Sequence, residues 1–300
     1  MNGRVLVTGA GGKTGRAVID ALTGRGAGVR ALVRDPDRHA DLSVESSDRP
    51  ADGIDRRDEP DRRRDVEVVR GDQRVVDDLV AALEGCAAVY AIAPNVSPHE
   101  RAMARAVVEA CGTAGVTRLV FHSVIHPQLT AMPHHVDKAA AEESVITSGL
   151  DWTILQPNAY LQNLAGYAAF LRAGTYRVPY ATDRGLAMVD LRDVASVAAG
   201  CLLDGRGVHG CFELSGPDEV SPADVARVAG TILGTEVLAE RWDPGAWVDA
   251  QETSDAARYR LHAMFVHYDR HGSPGDATVL GLLLGHRPTT LTSYLDELLG

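Results

Sequence analysis

The residues best placed for chemistry lie in Val5-Leu-Val-Thr-Gly-Ala-Gly-Gly-Lys-Thr-Gly-Arg-Ala-Val18, where Gly9, Gly12 and Gly15 separate an apolar run from a helical pattern. A strand, a tight glycine-rich turn and a helix in that order open a dinucleotide-binding βαβ unit. Glycine lets the backbone turn sharply and approach a diphosphate, and the free N–H groups at the helix start hold its negative charge. Gly11 and Thr14 belong to the same cradle. Lys13 stands inside it, and of the 30 basic Lys and Arg residues only Lys13 and Lys138 are lysines. Arginine elsewhere leaves those two positions as candidates for a chemical role, with compositional chance the competing explanation. Arg34 directly follows the second apolar run, at the edge that meets an adenosine ribose. An arginine there suits a 2′-phosphate, whereas an acidic residue such as Asp35 suits a free hydroxyl. NADPH is therefore favoured over NADH, the alternative for Arg34 being a surface ion pair with Asp35 or Asp37.

The elements that must position these groups follow from periodicity. Strands are expected at residues 5–8, 28–33, 66–69, 87–92, 119–122 and 152–155. Helices are expected between them at 14–23, 75–83, 100–114 and 136–148. This alternation implies an α/β fold, a doubly wound parallel Rossmann-type sheet covered on both faces. Residues 41–65 break the rhythm with Asp and Arg of nearly cancelling charge, which reads as a solvated insertion. After Pro157 the alternation stops. A helix is expected at 159–171, a short hairpin at 176–189, a helix capped by Asp193 and running to Leu203, a strand at 212–214, a helix at 222–233 with Ser221 as its cap, and helices from Ala246 onward. The division expected is a nucleotide-binding domain at 1–157 and a smaller, mostly helical substrate lobe at 158–300, with some segments returning to the sheet. The lobe would sit on the strand C-termini, where such a sheet places its ligand crevice.

The 300 residues, 45% hydrophobic with a formal charge of −11, describe a globular chain with an acidic surface poorly suited to nucleic acid. No apolar run reaches membrane-spanning length, and residues 5–7 are cut short by glycines before they could form a signal peptide. A cytoplasmic location is the default expectation, with no membrane partner. Cys86, Cys111, Cys201 and Cys211 show no metal or disulfide spacing. His122, His126, His134 and His135 do not form a helical ligand pair, because Pro127 interrupts them, so no metal is expected. Whether the chain forms a homodimer is left open.

The ordered set Val7-Thr-Gly-Ala-Gly-Gly-Lys-Thr-Gly15, Ala31-Leu-Val-Arg-Asp-Pro36, Val69-Arg-Gly-Asp72, Gly115-Val-Thr-Arg-Leu-Val-Phe121, His134-x-x-x-Lys138 and Trp152-Thr-Ile-Leu-Gln-Pro157 resembles the NmrA-like group of atypical short-chain dehydrogenase/reductases. Asn163-Leu164, Val189-Asp-Leu-Arg-Asp-Val194 and the tail motifs at 268–289 extend the resemblance over nearly the whole chain. That group includes quinone oxidoreductases, triphenylmethane-dye reductases, isoflavone-reductase-like enzymes and redox-sensing regulators. The resemblance implies an adenine contact near Asp72 and Gln73. Ala93, Pro94 and Asn95 would line the middle of the cofactor. Ser123, Pro157 and Asn158 would border the nicotinamide. Typical short-chain dehydrogenases carry Tyr-x-x-x-Lys, whose spacing puts both side chains on one helical face. Here His134 stands at the tyrosine position and Lys138 is kept. Lys138 would hold the nicotinamide ribose. His134 is either an acid or base or a pocket wall. Ser123, His134 and Lys138 are thus the catalytic candidates, and Tyr160, Asn163, Tyr167, Phe170 and Trp247 the candidate substrate contacts. The resemblance implies an NADPH-dependent reductase acting on a small aromatic or quinone substrate, and its family range suggests a natural-product tailoring step. The alternatives are an NADP-sensing regulator without turnover, and a non-redox isomerase or cyclase.

Overall fold

The computed structural model describes residues 3–43 and 65–300. The expected charged insertion therefore lies, apart from its first three residues and its last, outside the described residues. In chain order the elements are β1 (Arg4–Val7), α1 (Lys13–Gly24), β2 (Val29–Val33), β3 (Val66–Arg70), α2 (Val76–Leu83), β4 (Cys86–Ala91), α3 (Glu100–Ala114), β5 (Arg118–His122), α4 (Pro133–Ile146) and β6 (Asp151–Pro157). They continue with α5 (Ala168–Arg172), β7 (Thr175–Val178), α6 (Leu191–Asp204), β8 (Gly210–Leu214), α7 (Pro222–Leu233), β9 (Leu238–Arg241), α8 (Pro244–Asp249), α9 (Asp255–His271), α10 (Thr278–Leu284) and α11 (Leu291–Leu299).

Seven strands form one parallel sheet in the order β3-β2-β1-β4-β5-β6-β8. The order reverses between β1 and β4, which makes that point the crevice of the doubly wound sheet. Strand residues alternate between two cores because successive side chains point to opposite faces. Val5 and Val7 pack under α1 and α6 with Tyr90, Val120 and Leu155. Leu6 faces the other way, beneath α2, α3 and α4, with Val89, Leu119 and Phe121. A third core gathers Leu161, Leu164, Leu171, Tyr176, Val178, Val225 and Leu295 beyond the strand tips.

Past β6 the structure departs from several expectations. The segment expected as one helix at 159–171 is a 3₁₀ segment, Leu161–Tyr167, followed by the short α5. No hairpin forms at 176–189. β7 instead pairs in parallel with β9, a strand the sequence pattern did not reveal, and Leu186 makes only isolated bridges to Val220 and Ser273. Asp193 does not cap α6. Asp190 does, accepting from the Arg192 N–H at 2.7 Å, while Asp193 accepts from the Thr289 N–H at 2.8 Å. The carboxylate three residues earlier has the extended backbone a cap requires. Ser221 caps α7 as expected, in a reciprocal box with Asp224. α4 begins at Pro133, one turn earlier than its apolar pattern suggested, because proline fits the first helical position.

Candidate functional site

The C-terminal ends of β1, β2, β4, β5 and β6 open with the third core into one cavity of about 1310 Å³. That exceeds the roughly 300–1,000 Å³ of an ordinary small-molecule pocket, which leaves room for two ligands end to end. Every site residue expected from the sequence lines it except Phe170, which is 60% exposed on α5.

At the β1–α1 turn, Gly9 has φ +58°, and a Cβ on Gly15 would lie 2.4 Å from the Gly9 carbonyl oxygen. Only glycine permits this approach of turn to helix. Gly12 stands at the N-cap without a side-chain cap, and the first turn of α1 holds no acidic residue. The leading N–H groups of α1 therefore face the cavity as donors for an anion. Lys13 reaches across the cleft, its Nζ donating to Asn163 Oδ1 at 2.6 Å. It points toward the lobe and not toward Arg34, and burial lowers its pKa.

Arg34 and Arg38 line the far end of the cavity, both exposed. Neither makes an ion pair with another described residue, so the alternative pairing of Arg34 with Asp35 or Asp37 does not form. Asp72 is gripped by Arg74, which holds its carboxyl down at about 2. Val75 occupies the N-cap of α2, and Asp72 accepts from the Arg74 N–H at 2.9 Å in a local turn. Gln73, Ala93, Pro94 and Asn95 form the wall between the two ends. Next to them Val96 has φ +48°, a backbone strained for a β-branched residue.

Around the tips of β5 and β6 the side chains are tightly committed. Lys138 Nζ lies 2.6 Å from Glu100 Oε1 and donates to the His122 carbonyl at 2.7 Å. An ammonium has three donors, and the hydrogen bond to the His122 carbonyl takes one of them, which leaves donor capacity for a ligand hydroxyl. Glu100 is only 4% exposed, and burial raises its pKa against the opposing charge of Lys138. Ser123 donates to the buried Glu142 carboxylate, which also accepts from Gln156 Nε2 at 2.8 Å. Ser123 therefore offers the cavity lone pairs and no proton. His134, in the first turn of α4, is held down to about 3 by burial, with His135, Lys138 and Arg260 adding to the effect. It is a neutral imidazole near pH 7. Asn158 lines the wall, but its side chain is bonded to Ser273 and to the Ala159 N–H.

The lobe end is aromatic. Tyr167 meets Tyr176 edge to face at 5.1 Å, and Trp247 meets Phe265 at 4.8 Å. Tyr180 stacks on Phe265 at 6.3 Å, with Tyr268 edge-on. Of these, Tyr176, Tyr180, Phe265 and Tyr268 are not among the expected site residues, nor are Glu100 and Glu142, and the sequence raises His122 only as a metal ligand. A glutamate opening a helix and polar rings at strand ends were the available signals.

A model of the NmrA-like family matches residues 1–295. A (4-alkanoyl-5-oxo-2,5-dihydrofuran-3-yl)methyl phosphate reductase of Streptomyces griseus subsp. griseus is 31% identical over 261 residues, 85% of this chain and 81% of that protein. An NAD(P)H azoreductase of Xenophilus azovorans is 29% identical over 236 residues, 78% and 75% of the two chains. The crystal structure of an NADPH-dependent quinone oxidoreductase from Escherichia coli, complexed with NADPH, superposes with a TM-score of 0.80 at 22% identity. That match covers 98% of this chain and 99% of the other.

Proposed function

The chain belongs to the NmrA-like family, and from that premise we propose that it is an NADPH-dependent reductase that delivers hydride to a flat, conjugated acceptor such as a quinone or an aromatic ketone. One observation carries this reading: a single cavity runs from Arg34 and the uncapped glycine turn, past Lys138, to the aromatic wall of Tyr176, Trp247 and Phe265. Its first part fits a dinucleotide and its last part fits a planar apolar ring system.

When bound, the nicotinamide supplies the hydride. The chain's own residues bind, orient and exclude water. The first turn of α1 receives the diphosphate through backbone N–H groups. Arg34 and Arg38 meet the 2′-phosphate, for which a guanidinium offers paired donors. The free donor of Lys138 holds the nicotinamide ribose, while Glu100 fixes the ammonium in place. Ser123, its proton donated to Glu142, would border the nicotinamide with its lone pairs. Tyr167, Trp247 and the rings behind them flank the acceptor, and Asn163, tied to Lys13, closes the lobe over the phosphate turn.

The test is NADPH consumption by purified protein, followed by near-ultraviolet absorbance, across a panel of quinones and aromatic ketones. Acceptor-dependent consumption that NADH supports poorly is the expected result. Tight NADPH binding with no consumption on any acceptor would refute a reductase and favour a nucleotide-sensing role.

A further inference from the structure

Tyr90 and His122, at the ends of β4 and β5, and Tyr160, three residues past the end of β6, form one hydrogen-bonded chain. The Tyr90 hydroxyl bonds His122 Nδ1, and His122 Nε2 lies 2.6 Å from the Tyr160 hydroxyl. All three lie on the α1 and α6 side of the sheet, opposite Lys138, Glu142 and Ser123. Tyr90 is wholly buried and His122 is 3% exposed. Burial, reinforced by Lys138, holds the imidazole far below its ordinary pKa, and burial pushes both phenols up. The chain thus contains a neutral imidazole, with a single N–H, between two protonated phenols.

The direction of the protons follows from satisfaction of buried donors. Among the described residues, His122 Nδ1 is the one hydrogen-bond partner of the Tyr90 hydroxyl, so Tyr90 must donate there. That leaves the imidazole proton on Nε2, which donates to the Tyr160 oxygen. The Tyr160 proton is then free of His122 and must point elsewhere. What surrounds the Tyr160 ring is the phosphate turn, with the Thr14 hydroxyl beside the phenol oxygen and Lys13 Nζ 5.8 Å from the ring centroid.

We propose that Tyr90 and His122 are positioning residues that order the hydroxyl of Tyr160 as a donor to the diphosphate of the bound dinucleotide. This rests on the dinucleotide reading above. It adds to the turn a side-chain donor whose direction is set from the core. A backbone cradle tolerates either orientation of a nearby hydroxyl, whereas this chain permits one.

Two measurements test it. Nitrogen NMR of the free wild-type protein should find His122 protonated on Nε2 with Nδ1 accepting. The opposite tautomer would overturn the proposal without any variant. Tyr160→Phe keeps the ring and removes the donor. It should weaken NADPH about tenfold to a hundredfold, the worth of a hydrogen bond to a charged group. It should weaken 2′-phospho-ADP-ribose, which keeps the diphosphate but lacks nicotinamide, by the same factor, and leave adenosine 2′-monophosphate unchanged. A loss confined to NADPH, a loss shared by all three ligands, or no loss would each overturn it. If wild-type protein binds none of the three, the dinucleotide reading itself fails, while the tautomer result still reports on the relay.

Discussion

Replacing Lys138 by methionine separates what this lysine does for folding from what it does for a ligand. In the native protein its ammonium faces Glu100 at 2.6 Å, with side-chain exposures of 14% and 4%. Methionine preserves most of the stem but leaves the buried carboxylate without its counter-charge. Breaking a buried pair from one side costs about 3–5 kcal/mol. For a chain of this size that lowers the melting temperature by roughly 5–8 °C. The loss depends on pH in a defined sense. Burial already raises the Glu100 pKa from 4.5, and removing Lys138 removes the main effect that lowers it. A carboxyl whose folded pKa exceeds its unfolded value costs nothing while both states are protonated, and its cost grows as pH rises above the unfolded pKa. The Lys138→Met penalty should therefore be small near pH 4 and large at pH 7. Adding Glu100→Gln should recover most of the stability at pH 7, because no buried charge then remains. NADPH affinity should not recover, since the ribose donor is still missing. Thermal melts of the single and double variants from pH 4 to 8, with NADPH titrations at pH 7, decide the matter. A pH-independent penalty would refute the ion-pair argument, and restored affinity in the double variant would refute the role given to Lys138.

Arg34→Ala should weaken NADPH about tenfold to a hundredfold and change NADH by less than threefold, because only the former carries a 2′-phosphate. Equal losses by fluorescence titration would remove Arg34 from the phosphate site. Gly15→Ala places a Cβ 2.4 Å from a backbone oxygen, and it should cost about 1–3 kcal/mol in a denaturant melt as well as NADPH affinity. A variant that binds and melts like wild type would contradict the close approach. His134, held down to about 3, carries no charge between pH 5 and 8. The pH profile of kcat/KM should show no ionisation in that window that His134→Gln abolishes, and the loss of such a step on substitution would show an active imidazolium.

Local signals were legible where one short stretch decides the outcome. The strand–turn–helix at 4–24 follows from glycine spacing, α3 from its alanine-rich run closed by Gly115 in the left-handed conformation, and the α7 cap from Ser221. Legibility fell where tertiary contacts decide. Asp190 and Asp193 are both plausible caps by type. The choice depends on Gln162 and Arg192 converging on Asp190, and on the loop at Thr289 reaching Asp193. β9 is four residues with a mostly exposed pattern, and it exists because β7 offers it an edge. The site followed the same rule. Residues beside strand ends could be placed by their position after each strand, since a doubly wound sheet gathers those ends. Glu100 and Glu142 could not, because their partners lie 38 and 19 residues away and no periodicity links them.

The commitments around the strand tips also bear on which acceptors the site can reduce. Hydride addition to an isolated ketone creates an alkoxide, which needs a proton in the same step. Among the described residues at the strand tips no group is poised to give one, and burial pushes up the phenols of Tyr167, Tyr176, Tyr180 and Tyr268 at the aromatic wall, which makes them poor acids. The Ser123 proton belongs to Glu142, Lys138 is bound to Glu100, and His134 stays neutral. The Tyr160 hydroxyl is on the opposite side of the sheet. A quinone makes no such demand, because the charge after hydride transfer spreads over an aromatic phenolate that water can protonate later. Simple quinones should therefore exceed unconjugated ketones of similar size by at least about a hundredfold in kcat/KM, the lower end of the 10²–10⁴ that a positioned acid contributes. Deuterated solvent should leave the quinone rate nearly unchanged. A saturated ketone reduced at a comparable rate, or a large solvent isotope effect on the quinone, would reveal a proton donor that this arrangement of side chains does not provide.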